Sequence, residues 1–518
     1  MLVDGRGASP PVTVETRKGS TVAASRSSRP AVAAAVTFAA LLVALSGAHR
    51  PLAGLDEAAS LLAVHRPWRG VLALLNGADA PLVPYYVVAK AWLAACPGLP
   101  ELTGLRLLSA VAAALTAGLA FLIVTRRGGL RTGVVAAVVL IATPGFSRYA
   151  QEARPSAVFS LGVTLSWLLW SARAWPSESR RRRTVAAVAY PLSLAGALLT
   201  SLFAVFQWPA HALAGFAVGR RDRRWLGGSA LAFGVAAVLV GGPAWLALRN
   251  GTGPRAAPAA DPATVLGTLA RVVEARAGTG LLAGALAVLA VIGFAASLRT
   301  GSATDRERAV TAGWWLVLPV ALSLAVVVVH PGLLQPRYLH PALVPLSILA
   351  ADGVVACARR TARAGRAATR AVTALVLLTV IALSIPSQLA VRDPAAHEAA
   401  APALLAAVDA AFAQHPDARL FAGSTSASTL LSALRPELAE QDAARRIDPV
   451  GDQVWPHPRP RSVARALLDG TAPVIWVAPR RATSDSPPSR PPAVLLGSGF
   501  EIDSVVWAGK WFVVTLSR

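Results

Sequence analysis

Five short stretches of the sequence carry acids and arginines of the kind that handle a phosphate-linked substrate. Asp56 and Glu57 stand in Leu55-Asp56-Glu57-Ala58, and Asp79 stands in Ala78-Asp79-Ala80, shortly before Pro84-Tyr85-Tyr86 and Trp92. Arg106 lies in Leu105-Arg106-Leu107-Leu108-Ser109. Glu152 and Arg154 close the run Arg148-Tyr149-Ala150-Gln151-Glu152-Ala153-Arg154-Pro155, and Arg337 and Tyr338 sit in Pro336-Arg337-Tyr338-Leu339-His340-Pro341. A carboxylate can accept the proton of a hydroxyl as that hydroxyl attacks a sugar carbon. Arginine suits a phosphodiester because its planar fork is permanently charged and bidentate. Fixed cations also stabilise the charge that builds on a leaving phosphate. The chemistry this set supports is transfer of a group from a lipid phosphate, with no nucleotide. Each residue has a plainer reading as well. An acidic pair in a loop can simply be solvated, an arginine at a helix mouth can snorkel to the interface, Glu152 and Arg154 can pair with each other, and two tyrosines can form an aromatic belt. Only convergence on one face gives the set weight.

The elements that must position these residues are membrane spans. Of 518 residues, 54% are hydrophobic and 15% are charged, and mean hydropathy is +0.53. This excludes a disordered chain, a collagen and an ordinary cytosolic enzyme. The net charge of +23 does not mark a nucleic-acid binder, because the tail from Val391 holds 13 basic and 13 acidic residues. The excess lies in arginine clusters between apolar runs, the pattern of membrane topology. Apolar runs long enough to cross a bilayer predict eleven spans: 31–47, 104–125, 130–147, 155–172, 184–201, 203–218, 226–247, 281–298, 310–329, 339–357 and 371–390. The first has a basic arm like that of a signal peptide, but its apolar run is long for one.

Lys and Arg concentrate in the short loops on the cytoplasmic side of a membrane. Placing residues 1–30 in the cytoplasm as an N-terminal arm puts Arg126-Arg127, Arg180 to Arg183, Arg220 to Arg224, Arg299 to Arg308 and Arg359 to Arg370 all inside. Residues 31–390 then form the transmembrane domain, with a structured first outer loop at 48–103 and the C-terminus outside. The interrupted apolar segment 80–97 would invert every later loop if it crossed, so it is expected to lie on the outer face, with its tyrosines and tryptophan at headgroup level. Under this topology the five stretches share one depth on the outer side. Two cysteines, Cys96 and Cys357, fall on opposite sides and form no disulfide framework.

Residues 391–518 change composition and read as an extracytoplasmic α/β domain. Ala399 to Ala413 predicts a helix, and Arg419-Leu-Phe-Ala, Pro473-Val-Ile-Trp-Val-Ala and Lys510-Trp-Phe-Val-Val-Thr-Leu predict strands. Ser484 to Pro492 reads as a loop.

At the five stretches the chain resembles a GT-C superfamily membrane glycosyltransferase. It is similar to the branch of the protein O-mannosyltransferases and the aminoarabinose transferase of lipid A, and to the actinobacterial membrane proteins called mannosyltransferases. The likeness covers roughly residues 50–341 and is loose beyond 391. It implies an α-helical polytopic fold and an inverting transfer, on the outer face of the plasma membrane, from a polyprenyl-phosphate sugar to a cell-envelope acceptor. It also implies that Asp56 is the catalytic base and that Glu57, Asp79, Tyr85, Arg106, Glu152, Arg154, Arg337 and Tyr338 help bind substrate or shape the site. Many members carry His-Pro-Pro-Leu before the two tyrosines, where this chain has Pro81-Leu82-Val83-Pro84. Metal dependence varies within the superfamily. No metal site is assigned, His65 and His340 included, and no organic cofactor is expected. Two other classes remain. A translocator of lipid-linked sugars would need a polar path through the bundle, yet the spans hold no acid near mid-depth, Asp352 lying toward the cytoplasmic end. A catalytically inactive scaffold would not need the acids.

Overall fold

The computed structural model describes residues 28–76, 79–173, 179–218, 280–329, 335–361, 365–441, 472–479 and 493–518, with isolated helical positions between 227 and 242. Helix α1 (Arg29–Leu45) leads into α2 (Leu55–His65) and α3 (Val83–Ala95). The bundle continues with α4 (Glu101–Ala142), α5 (Pro144–Ala150), α6 (Ser156–Arg173), α7 (Arg180–Thr200), α8 (Gln207–Ala217), α9 (Gly280–Thr300), α10 (Ala303–Val329), α11 (Leu343–Arg360) and α12 (Arg366–Val391). Helix α4 is two helices joined at Gly129, whose φ of 78° is open to glycine at little cost.

Among the described residues five helical stretches are long and apolar enough to cross a membrane: Glu101–Arg126, Gly280–Thr300, Ala303–Val326, Arg337–Arg360 and Arg366–Val391. A sixth candidate is Gly128–Ala142 with Pro144–Ala150, bent by 67°. Shorter apolar helices coincide with the predicted spans at 31–47, 155–172, 184–201 and 203–218. The predicted span 226–247 lies mostly outside the described residues, so these helices do not establish a count of eleven. The chain is a multi-pass membrane protein with outward-facing apolar side chains, among them Val291 on α9 and Leu375, Leu378 and Leu389 on α12. Between the helices the core is rich in alanine, with Ala113, Ala117, Ala136, Ala350 and Ala351 buried. Such small side chains let helix backbones approach closely.

The bend before α5 positions the site. Pro144 occupies the first turn of α5, where its missing N–H costs nothing. The chain then turns across the end of the bundle, carrying Arg148 to Pro155 over the mouths of α1 and α4. Gln151 donates to the carbonyls of Ala44 and Ser46 at 2.9 Å each. Ser109 donates to the carbonyl of Glu152 at 2.7 Å.

The tail forms a four-stranded sheet of β1 (Arg419–Ala422), β2 (Val474–Pro479), β3 (Glu501–Ala508) and β4 (Trp511–Ser517), in the order β1-β2-β4-β3. Strands β1 and β2 are parallel and the other pairings are antiparallel. Helices α13 (Ala401–Gln414) and α14 (Thr425–Leu434) cover one face. Three strands and α13 fall where the sequence predicts them. Strand β3 escapes prediction because it is an exposed edge, its outward residues masking the alternation. Helix α14 hides in a Ser/Thr-rich run whose Ser424 caps the helix by accepting from the Ala427 N–H. The predicted loop Ser484 to Pro492 lies outside the described residues.

One expectation needs correction. Segment 80–97 does not display its tyrosines at headgroup level. Tyr85 and Tyr86 on α3 are fully buried, packed with Ala59, Val64, Leu105 and Ala153. The tail has a core of its own, with Phe421, Val474, Trp476, Leu495, Phe500 and Phe512 buried together, and it shares a second cluster with the loop after α1, in which Ala58 of α2 is buried with Ala401, Leu404, Leu430 and Val477. The loop after α1 and the tail are packed against each other.

Candidate active site

Helix α2 begins in the loop after α1, and its first turn carries the two acids on different faces. Gly54 starts the helix in extended backbone, and its N–H donates to Oε2 of Glu57 at 3.0 Å, which ties the carboxylate back to the helix start. Glu57 is wholly buried. Arg106, projecting from α4, donates from Nε to Oε1 at 2.9 Å and from Nη2 to Oε2 at 2.8 Å. The Ala153 N–H donates to Oε1 at 2.8 Å, and Nδ1 of His397 lies 2.6 Å from Oε2. Arg106 also donates from Nη1 to the carbonyls of Ala48 and Pro51, at 2.8 Å each. Burial acts to raise the Glu57 carboxyl, but the hydrogen bonds from His397 and Arg106 outweigh it and hold the group well below the usual carboxylate range. Glu57 and Arg106 therefore pin the loop after α1 to α4, and neither presents a free surface to a ligand.

Asp56 faces the other way and its side chain is 34% exposed. One carboxylate oxygen is bonded by Arg337, and the other lies 3.4 Å from Nη2 of Arg154. Arg154 is nearly buried, and its Nη1 donates to the backbone carbonyl of Asp56 at 3.1 Å. Burial works against the charge of Arg154, but Tyr86, Glu152 and Asp79 face it and carry its pKa above the ordinary arginine value. The phenols of Tyr85 and Tyr86 are pushed up by burial, so both stay neutral. Arg337 and Tyr338 enter from a 3-10 turn, Pro336–Ala342, just before α11. Tyr338 stacks on Phe203 with ring centroids 4.4 Å apart, which fixes the turn against the bundle. Next to it His340 packs on Tyr149 at 4.9 Å, while His65 pairs with Glu101 at the surface, 2.6 Å away.

All nine expected site residues thus gather at one end of the bundle, in two layers. Asp56, Arg154 and Arg337 form the open layer, with Asp79, Glu152, Tyr85 and Tyr86 behind Arg154. Glu57 and Arg106 form a sealed layer beneath. Arg154 pairs with Asp56, which the alternative of a closed Glu152–Arg154 pair did not include. Sequence reasoning missed His397, whose side chain is 1% exposed against Glu57. It lies just past the last span, in the part of the chain where the resemblance is loose. The signal available was its place in a linker that also holds Arg392, Asp393 and Glu398. That linker is tied down throughout. Leu52 N–H donates to the Pro394 carbonyl at 2.9 Å, and Arg148 donates to that of Ala396 at 2.6 Å. Among the described residues no group of three or more His, Cys, Asp and Glu side chains is arranged to hold a metal ion.

No family model and no curated protein matches the chain. Solved structures do. The apo ArnT of Cupriavidus metallidurans is similar over 96% of this chain and 98% of its own, with a TM-score of 0.59 at 17% identity. The same protein bound to undecaprenyl phosphate gives a TM-score of 0.58 at 16% identity over the same shares. The archaeal oligosaccharyltransferase AglB of Archaeoglobus fulgidus, in complex with an inhibitory peptide and a dolichol-phosphate, is similar over 87% of this chain and 70% of its own, with a TM-score of 0.50 at 11% identity. Both neighbours are GT-C proteins, and the chain has the GT-C fold that its motifs predict.

Proposed function

We propose that the chain is an inverting glycosyltransferase that moves a sugar from a polyprenyl-phosphate donor to a hydroxyl of a cell-envelope glycan, lipid or protein. The reaction takes place on the outer face of the plasma membrane, with the N-terminus inside and the tail outside. Mannose is the first sugar to test and arabinose the second. One observation carries the reading: in a GT-C fold, an aspartate with a third of its side chain exposed, on the first turn of a helix, sits between two arginines, one buried and one on a surface turn.

The chemistry follows from those three side chains. The donor's phosphodiester enters beside Arg337 and Arg154, which hold its oxygens as charge-assisted hydrogen bonds. As phosphate takes over the arginines, Asp56 is released from them and regains its basicity. Its carboxylate accepts the proton of the acceptor hydroxyl while that oxygen bonds to the anomeric carbon from the opposite face. The bond from that carbon to the phosphate oxygen breaks, its electron pair leaving on polyprenyl monophosphate. The arginines stabilise this added charge. Tyr85 and Tyr86, neutral behind Arg154, and the carboxylates of Asp79 and Glu152 hold that guanidinium in place.

The test is to incubate membranes containing the protein with radiolabelled polyprenyl-phosphate mannose or arabinose and to follow label into envelope fractions. Transfer by the wild type and not by Asp56→Asn is the expected result. Equal transfer by both, or label that crosses the membrane without changing carrier, would overturn the reading.

A further inference from the structure

The basic loops that orient the chain in the membrane also converge on a cavity at the far end of the bundle from Asp56. The cavity has a volume of about 510 Å³ and lies between the ends of α9 and α11 and the start of α10. Helix α11 separates it from the proposed active site: Arg337 precedes the first residue of α11, and Arg359 and Arg360 end it. Its 18 residues span about 27 Å at the rise of an α-helix, the better part of a bilayer core. The cavity therefore faces the opposite leaflet.

Its walls differ in chemistry. On one side Val291, Ile292 and Val355 are apolar, and Val291 is 68% exposed on the outer surface of α9, so the cavity opens along a lipid-facing helix. At the rim stand Arg299, Arg359 and Arg360, with Ser297 and Thr300 beside them. Arg308 forms the inner wall and is itself 7% exposed. It donates from Nε and Nη2 to Asp352, at 3.1 and 2.7 Å, and from Nη2 to Asp305 at 2.9 Å. Its Nη1 is buried with no hydrogen-bond partner among the described residues. Asp305 and Asp352 also line the cavity and both pair with Arg308, Asp305 accepting from Ser302 as well, and among the described residues the three rim arginines make no salt bridge. Orientation in the membrane requires basic loops on one side. It does not require two of them to close on one cavity around a buried, incompletely bonded guanidinium.

We propose that this cavity is a phosphate-binding site, filled by the headgroup of an anionic phospholipid of the leaflet opposite the Asp56 cleft or by free phosphate. The rim arginines would hold the phosphate oxygens, and the apolar wall along α9 would take the start of an acyl chain. Basic pockets between membrane helices hold anionic headgroups in this way.

Native mass spectrometry of the full chain in neutral detergent, titrated with phosphatidylglycerol or phosphatidylcholine, tests this. Phosphatidylglycerol should bind the wild type at least about tenfold more tightly than phosphatidylcholine. The double variant Arg299→Gln/Arg359→Gln should lose about 30-fold of that affinity, at about fivefold per arginine near a lipid phosphate. Both side chains are exposed, so their loss leaves the packing intact. Should the double variant aggregate, Ala295→Phe, which narrows the cavity without touching its charge, is read in the same way. Displacement of phosphatidylglycerol by excess inorganic phosphate would identify free phosphate as sufficient. Failure to displace it would identify the lipid. Equal affinity for the two lipids, or wild-type affinity in the folded variant, overturns the proposal.

Discussion

Asp56 and Glu57 are consecutive acids on one helix, and each is bonded to arginine. Glu57 receives two arginine nitrogens, two backbone N–H groups and a histidine, and has no exposed surface. Asp56 receives two arginines from different parts of the chain and keeps a third of its side chain open. In the sealed arrangement every lone pair is engaged, so the pair can only be structural, and removing one member leaves a buried charge. The open arrangement can be exchanged, because an incoming phosphate can replace the carboxylate on each guanidinium. Burial, and not residue type, separates a loop anchor from a candidate base one residue away.

Substitutions at the two acids and their partners can break or sharpen that contrast. The largest effect is expected from Asp56→Asn, which keeps the shape and removes the basicity. Single-turnover transfer at saturating donor should fall about 10²–10⁴-fold, while elution and unfolding midpoint stay those of the wild type. A near-normal rate would move the base elsewhere, with Asp79 next. In the sealed layer, Arg106→Ala should cost about 3–5 kcal/mol of stability by stranding Glu57, seen as lost yield and a lower unfolding midpoint in detergent. Should it instead fold normally and bind donor weakly, Arg106 is a ligand contact and the division into two layers fails.

Arg337→Ala is expected to raise the donor KM about 10–100-fold, the worth of a hydrogen bond to a charged group, with a smaller change in the rate at saturation. An unchanged KM would leave phosphate binding to other groups. The smallest effect concerns pH. The folded environment holds the Glu57 carboxyl below its ordinary 4.5, so its contribution to stability is complete above that pH. The contribution fades as pH falls from there toward the lowered folded value. The gap in unfolding midpoint between wild type and Glu57→Gln should therefore narrow below pH 4.5; a gap constant with pH would mean that the charge of Glu57 does not hold the loop.

Much of this was legible in the sequence. The run from Arg148 to Pro155 could be placed between two spans, 130–147 and 155–172, but the helix that starts at Pro144, inside the first of them, could not be read. Strands β1, β2 and β4 of the tail could be read from their apolar runs. The inward turn of Tyr85 and Tyr86 could not, because a helix with tyrosine, lysine and tryptophan reads the same whether it lies on a membrane or against protein. Its partners, Ala59, Leu105 and Ala153, come from three other elements. His397 was equally invisible, since nothing within its own linker states that Glu57, 340 residues earlier, will be waiting for its ring.

The amino-acid sequence by itself determined that the chain enters a membrane and which residue types could handle a phosphate-linked substrate. Hydropathy and charge act locally and sum along the chain, so they need no knowledge of neighbours. Which acid is open and which is sealed was decided by the tertiary structure alone. That depends on α4 delivering Arg106 beneath α2, on the Pro336–Ala342 turn delivering Arg337 above it, and on the tail closing over Glu57 with His397. Desolvation of a carboxylate is set by every group around it, and here those groups come from segments hundreds of residues apart.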